Sequence, residues 1–159
     1  MIDGYLLILL ISMLPWIELR GAIPVGILLL GLDPLPVFGI SVLANIAVVV
    51  PILLLLDWAY SQLGRYSFVS RCVGGVRNKA DKKIEKYGFW GLAAFVAIPL
   101  PITGAWTGSL ISWLLGLEKK RSLLAISLGI IIAGLIVTLL SLFAVEVLYA
   151  LGAPRANPL

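Results

Sequence analysis

The chain has 159 residues, of which 61% are hydrophobic and 13% charged, and its mean hydropathy is +1.09. Because a soluble domain carries about 25% charged residues, this composition predicts one integral membrane domain, residues 1–159, with no separate soluble domain. The absence of histidine and the presence of one cysteine remove the residues for Cys/His metal sites, disulfide frameworks and Ser–His–Asp catalysis, so we expect no enzyme, metal or cofactor.

The net charge of +4 could suggest a nucleic-acid partner. Membrane proteins, however, use Lys and Arg to set their orientation in the bilayer. We therefore expect no nucleic-acid binding and assign the basic residues to membrane topology.

The first predicted element, residues 4–32, contains two uncharged runs that are too short to cross a membrane. These runs, 4–17 and 21–32, have 14 and 12 residues, whereas a span needs about 20. We expect Pro15, Gly21 and Pro24, which lie near the junction of the two runs, to interrupt a continuous helix. The element is therefore either one kinked span or a re-entrant hairpin that turns back inside the membrane.

The next element, residues 34–57, is long and apolar enough for a transmembrane helix. It is followed by a basic segment, residues 60–88, in which apolar residues recur at helical spacing. This pattern indicates a cytoplasmic amphipathic helix lying on anionic lipid, and the alternative is a solvated loop that only sets topology. The apolar positions are Val69, Val73, Val76, Ala80, Ile84 and Tyr87. We expect Gly74 and Gly75 to kink or split the helix.

Residues 89–117 repeat the first pattern, because Pro99, Pro101 and Gly104 divide a long uncharged run into two short halves. Residues 122–148 then provide a second transmembrane helix. Ten of the twelve basic residues lie in the segments 57–88 and 118–121. Two re-entrant hairpins place both segments on one face, which the positive-inside rule makes cytoplasmic. We therefore predict a plasma-membrane protein with both termini outside.

An internal repeat supports this arrangement. The sequence LLGLD at 29–33 recurs as LLGLE at 114–118, and Gly21-Ala22 recurs as Gly104-Ala105. Because each half would cross the membrane once, the second copy would be inverted relative to the first, a layout typical of transporters. The predicted fold class is an all-α integral membrane protein with two inverted repeats, each a re-entrant broken-helix hairpin followed by a full transmembrane helix.

Two stretches, 15–26 (PWIELRGAIPVG) and 95–108 (FVAIPLPITGAWTG), resemble the signatures of the small multidrug export family, within the DedA, SNARE-associated or VTT superfamily. The resemblance covers residues 4–150 and implies a transporter with two facing re-entrant hairpins. Superfamily relatives are implicated in moving polyprenyl-phosphate carriers or phospholipids between leaflets, and in proton-dependent drug tolerance. In the DedA branch the second hairpin carries arginines, whereas 95–108 carries no charge here, so only Arg20 could supply phosphate binding.

Glu18 and Arg20 are the main candidates for function, because they fall at the predicted tip of the first hairpin, where ionisable side chains are costly. A purely structural ion pair is one reading. Alternatively, Glu18 could exchange a proton for a cationic substrate, or Arg20 could receive an anionic head group.

Four polar or aromatic side chains are expected near the same depth. Asn45 lies eight residues beyond Val37, about 12 Å along its helix, and could close the site or only aid helix packing. Thr103, Trp106 and Thr107 would face the first tip, with Trp106 either a pocket wall or lipid-facing bulk. The residues expected to shape the hairpins are Pro15, Gly21, Pro24, Gly26, Pro99, Pro101, Gly104 and Gly108.

These residues favour a transporter with a midplane cavity between the hairpins, moving a lipid or lipid-linked phosphate. The first alternative is proton-coupled export of small cationic drugs, and the second is a structural or partner-binding membrane protein. An intramembrane lipid phosphatase would have little catalytic machinery. The expected partners are membrane lipids, a lipid phosphate or small amphipathic substrate, and a second copy of the chain, most simply in a dimer.

Overall fold

The computed structural model describes residues 2–79, 82–100 and 103–152, and all regular structure within these ranges is helical. The chain begins with two short helices, α1 (Ile2–Met13) and α2 (Glu18–Pro24), and α2 continues into a π-helical turn (Val25–Leu29). The long helix α3 (Pro34–Leu63) follows, and then α4 (Ser67–Lys79) and α5 (Lys82–Ala97). The last two helices are α6 (Ala105–Leu114) and α7 (Lys119–Ala150).

The first hairpin consists of α1, a turn at residues 14–17, and the return helix formed by α2 and the π-helical turn. A Cβ at Gly4 would lie 3.3 Å from Leu32, and one at Gly26 would lie 3.3 Å from Ile8, so the two arms run antiparallel. Gly26 also lets the return helix approach α3, because its Cβ would lie 2.9 Å from Val37.

Only one of the three predicted helix breakers lies at the break itself. Pro15 is in the turn, whereas Gly21 and Pro24 lie within α2. Pro24 removes a backbone N–H donor, yet the chain stays helical and widens into the π-helical turn immediately after it. The expectation that Gly21 and Pro24 interrupt the helix was therefore wrong.

The second hairpin consists of α5, an irregular segment at 98–104, and α6. A Cβ at Gly108 would lie 2.7 Å from Val96, so glycine permits the close contact of α6 with α5. Gly104 is the N-cap of α6. Pro99 lies in the irregular segment, and Pro101 lies outside the described residues.

The repeated sequence motif has the same backbone conformation in both copies. Gly31 and Gly116 are left-handed, with φ of 60° and 69°, a conformation that glycine adopts without steric cost. Two residues later Asp33 and Glu118 are the N-caps of the long helices, with φ/ψ of −58°/125° and −59°/129°. Each hairpin therefore enters its long helix through the same turn.

The two long helices, α3 and α7, are the described elements long and apolar enough to cross a membrane. With 30 and 32 residues they extend about 45 to 48 Å. Lys119 at the start of α7 forms an ion pair with Asp57 near the end of α3, whereas Gly134 lies beside Phe38 near the start of α3. The two helices therefore pack antiparallel.

Both long helices extend beyond their predicted limits of 34–57 and 122–148. The prediction placed helix ends at charged residues, but Asp57 remains helical and α3 ends before Gly64. The cluster Lys119-Lys120-Arg121, predicted as a loop, forms the first turn of α7. Cations are unfavourable at a helix N-terminus, and the ion pairs Lys119–Asp57 and Arg121–Glu118 offset this cost.

The core is formed where α7 packs against α5 and α3. Ile126, Ile130 and Ala133 on α7 are buried, and Gly129 permits close approach because its Cβ would lie 2.7 Å from the carbonyl oxygen of Ala93. The second half of α7 exposes large apolar side chains: Leu135, Leu139, Leu140 and Phe143. An exposed apolar surface of this kind is unfavourable in water and is typical of lipid contact.

The predicted basic segment, 60–88, is divided among the end of α3, the whole of α4 and the start of α5. Helix α4 continues through Gly74 and Gly75, so these glycines do not split it. Val73 is buried and Arg71 is exposed, which agrees with an amphipathic helix. Ala80 and the side chains of Val76, Ile84 and Tyr87 lie outside the described residues.

Candidate functional site

The tips of the two hairpins meet around an ion pair. An Nη atom of Arg20 lies 2.5 Å from Oε2 of Glu18, and the two side chains are 13% and 6% exposed. Side chains two positions apart do not face each other on a regular helix. Here Glu18 has a φ of 51° at the start of α2, and this left-handed conformation allows the pair to form. Such conformations are uncommon outside glycine and cluster at functional sites.

Arg20 also reaches across to the second hairpin, where α5 ends. Its Nη2 atom donates to the carbonyl oxygens of Val96 at 3.0 Å and Ile98 at 3.4 Å, and to Oγ1 of Thr103 at 3.3 Å. The last carbonyl groups of a helix have no partner within the helix and carry partial negative charge. The guanidinium of Arg20 therefore caps the C-terminus of α5 from the other hairpin.

Glu18 caps the N-terminus of α6, whereas Arg20 caps the C-terminus of α5. Its Oε1 atom accepts from the backbone N–H of Trp106 at 3.3 Å, and the adjacent N–H of Ala105 also interacts with this carboxylate. The N-cap residue of α6, Gly104, has no side chain with which to cap the helix. A Cβ at Gly104 would overlap the Glu18 carboxylate. Glycine at this position thus admits a cap from the first hairpin, which complements the positive end of the helix.

Trp106 makes the reciprocal contact. Its Nε1 atom donates to the carbonyl oxygen of Met13, the last residue of α1, at 3.3 Å. The last carbonyl group of α1, in the first hairpin, thereby receives a hydrogen bond from a side chain of the second hairpin. Each hairpin tip therefore donates hydrogen bonds to the other.

A cavity of about 300 Å³ lies between the tips and is built from both hairpins, and this volume is at the lower end for small-molecule sites. It has the Glu18–Arg20 pair in its wall, together with apolar side chains. The lining residues are Pro15, Trp16, Ile17, Glu18, Arg20, Gly21, Pro99, Gly104 and Thr107. In the described part of the chain, no three His, Cys, Asp or Glu residues group to hold a metal ion.

The other sequence candidates among the described residues do not line this cavity. The hydroxyl of Thr103 lies 2.7 Å from the Ile98 carbonyl oxygen and 2.9 Å from that of Leu100, so it braces the second tip. Asn45 is 1% exposed in the middle of α3, and its Nδ2 atom has no hydrogen-bond partner among the described residues. Gly26 and Gly108 serve helix contacts away from the cavity.

Sequence reasoning missed a second polar cluster, located where the second hairpin enters α7. Asp57 accepts from Nε1 of Trp113 at 2.7 Å and pairs with Lys119, and Tyr60 packs edge-to-face on Trp113. Asp57 is the last residue of the predicted span 34–57 and was not among the predicted site residues. The backbone acceptors at Met13 and Val96 were also missed, because they become identifiable only when the ends of α1 and α5 are known.

Comparison with protein families finds one match. The model of the family described as "Putative small multi-drug export protein" matches residues 18–136, about three quarters of the chain. This range begins at Glu18, immediately after the turn of the first hairpin, and includes the whole of the second hairpin. No curated protein and no solved structure matches the chain.

Proposed function

The chain belongs to the small multi-drug export protein family, and we propose that it is a membrane transporter that moves small amphipathic molecules through the cavity between the two hairpin tips. The cavity itself is the observation that carries this proposal. Both hairpins contribute to its wall, and the wall contains the buried ion pair of Glu18 and Arg20. Ionisable groups inside membrane segments commonly mark substrate or ion pathways.

In the proposed arrangement, α3 and α7 cross the plasma membrane and both hairpins enter the bilayer and return. Helices α1 and α6 have 12 and 10 residues, so they extend only about 15 to 18 Å, well short of a bilayer core of about 30 Å. The matching exit turns and the antiparallel packing of the long helices support an inverted repeat. The basic segments are then cytoplasmic, as the positive-inside rule expects.

A cationic substrate fits the geometry better than an anionic one. The Nη2 atom of Arg20 already faces three protein oxygens, and Nη1 faces Glu18. The Glu18 carboxylate receives Arg20 and backbone N–H groups, but two carboxylate oxygens can accept about four hydrogen bonds. Acceptor capacity therefore remains at Glu18, whereas both Nη atoms of Arg20 have protein partners. The Nε atom of Arg20 has no partner among the described residues, but it is buried. The apolar walls suit the rest of an amphipathic cation.

The same two side chains line the cavity and hold the tips together, which suggests how binding drives transport. A cation at Glu18 competes with Arg20 for the carboxylate. Release of Arg20 would weaken its bonds to the end of α5, and the hairpins could then separate. Substrate would thus favour the open arrangement because it interacts differently with the two states.

A lipid or lipid-linked phosphate is the second candidate substrate. Arg20 is the one basic side chain in the described cavity wall, and a phosphate could replace Glu18 as its partner. The resemblance to the DedA superfamily also supports this candidate. The predicted homodimer is compatible with either substrate and remains a prediction.

Filling the cavity tests the proposal. Thr107→Leu adds apolar volume to the cavity wall without removing a bond between the tips, and Thr138→Leu makes the same change on α7 outside this cavity. In reconstituted vesicles we expect Thr107→Leu to reduce export of the amphipathic cation ethidium about tenfold or more, because a blocked site cannot bind substrate, whereas Thr138→Leu exports normally.

Three results would contradict or redirect the proposal. Equal export by both variants would exclude the cavity as the pathway. Unchanged ethidium export with loss of fluorescent phospholipid translocation in Thr107→Leu would favour the lipid candidate. Loss of protein assembly in Thr107→Leu, with no flux of either probe in the wild type, would favour a structural role.

A further inference from the structure

A second cavity, of about 230 Å³, lies where the second hairpin enters α7, away from the tips. Phe89 and Leu92 of α5 and Leu117 of the exit turn form its apolar part. Glu118 and Arg121 are its charged groups, and Ser122 completes the lining. The transport proposal does not use this cavity.

The start of α7 leaves donors unused at this place. The first bond within the helix runs from the N–H of Ser122 to the carbonyl oxygen of Glu118 at 2.8 Å. The N–H groups of the preceding turn have no helical acceptor, and the Glu118 side chain makes no capping hydrogen bond. At the matching turn of the first repeat, Asp33 accepts from the N–H of Leu35 at 3.1 Å.

Ser122 provides an independent indication of a ligand. The residue is 2% exposed, and its hydroxyl has no hydrogen-bond partner within the described ranges. A buried hydroxyl without a hydrogen-bond partner is unfavourable relative to a satisfied one. Because Ser122 lines the cavity, a polar ligand atom placed there would satisfy it.

Arg121 supplies the charge that selects the ligand. Its Nε atom pairs with Glu118 at 3.4 Å, and no bond to its Nη atoms occurs in the described part of the chain. Guanidinium Nη groups, helix N–H groups and a hydroxyl together form a typical phosphate site. The Glu118 carboxylate opposes an anion, but its pairing with Arg121 reduces this repulsion.

We propose that this cavity binds the phosphate group of a membrane phospholipid, with Arg121, Ser122 and the first turn of α7 holding the phosphate. The apolar wall formed by Phe89, Leu92 and Leu117 then contacts the glycerol and the start of an acyl chain. The site lies at the end of an apolar helix long enough to cross a membrane, which is where phospholipid head groups are found. A free phosphate would leave this apolar wall exposed.

Native mass spectrometry of the full chain in neutral detergent tests the site, with dioctanoyl phosphatidylglycerol as the probe. We expect Arg121→Gln to weaken binding about tenfold and Ser122→Ala about threefold, as losses of a charged and a neutral hydrogen bond. Lys120→Gln is the matched control, because it removes an equal charge from the adjacent residue, which does not line this cavity. Its expected effect is less than about twofold at an exposed position.

Several outcomes would overturn the site. Equal losses in Lys120→Gln and Arg121→Gln would indicate general charge attraction. Competition by inorganic phosphate as strong as by the lipid would replace the phospholipid with a free anion. The transport cavity is tested separately by Thr107→Leu, which should bind the lipid as the wild type does. Weaker binding in that variant would place the lipid at the hairpin tips instead.

Discussion

The two hairpins contribute different chemistry to their contact. The first hairpin brings two charged side chains, Glu18 and Arg20, whereas the partners of these charges on the second hairpin are the ends of α5 and α6 and one threonine hydroxyl. Each charge meets the helix end of opposite polarity, since Arg20 lies at carbonyl groups and Glu18 at N–H groups. The two hairpins thus share the same exit turn into a long helix, whereas the side chains at their tips make different contacts.

This difference explains how a stretch without charge, residues 95–108, can still form half of an electrostatic site. Interrupting a helix exposes unpaired carbonyl and N–H groups, which are costly inside a membrane. Buried charges are also costly unless they are paired. When the buried charges of the first hairpin contact the helix ends of the second, the charges and the unpaired backbone groups satisfy each other. Variants that remove a charge from one hairpin or add bulk to the other should therefore separate their contributions.

The largest loss of stability is expected from Arg20→Ala. It leaves Glu18 without its cation and the end of α5 without its cap, and breaking a buried ion pair is unfavourable by about 3 to 5 kcal/mol. Arg71→Ala is the control, because Arg71 is exposed and its hydrogen bond among the described residues is to Ser67 within α4. Its effect should be below about 0.5 kcal/mol. Thermal unfolding in detergent measures both.

Adding Glu18→Gln to Arg20→Ala sharpens this test. The double variant should recover part of the lost stability, because the uncompensated carboxylate is gone. If the two changes are simply additive, the charges do not stabilise each other and the described pairing of the tips is wrong.

An intermediate effect is expected from Gly104→Ala on the second hairpin. The added methyl group would overlap the Glu18 carboxylate, and overpacking of this kind typically destabilises by about 1 to 3 kcal/mol. Gly91→Ala on α5 is the matched control, because nothing packs within 4 Å of the position that its methyl group would take. It should be neutral or stabilise by up to about 1 kcal/mol through helix propensity. Equal unfolding temperatures for the two variants would show that Glu18 does not cap α6.

The smallest loss of stability is expected from Trp106→Phe, which removes the hydrogen bond that Trp106 donates to the end of α1. Loss of the Nε1 hydrogen bond to Met13 should reduce stability by about 0.5 to 1.5 kcal/mol. Trp90→Phe in the same hairpin is the control, since Trp90 is 66% exposed. An effect in Trp90→Phe as large as in Trp106→Phe would assign the loss to aromatic packing and not to the cap.

The sequence was informative about segment lengths and less so about helix ends. Short apolar runs predicted two hairpins, and LLGL followed by an acid predicted the repeated turn, because both patterns depend on local chain geometry. Asp57 was placed at the end of a predicted span, and its helix continues beyond it to Leu63. Its contacts with Trp113 and Lys119 could not be predicted, because these residues are far from it along the chain. Gly104 was selected correctly as a residue of the second tip, but its close contact with Glu18 depends on residues 86 positions apart.

Chemical modification at Thr107 tests most directly whether the cavity between the tips is the transport path. In a Cys72→Ser background, Thr107→Cys is treated with a small methanethiosulfonate reagent in vesicles, and Ser61→Cys is the control because Ser61 is exposed near the end of α3. We predict that modification at position 107 stops ethidium export and that ethidium slows this modification, whereas modification at position 61 leaves export unchanged. Complete modification at position 107 with export at the unmodified rate would contradict the account.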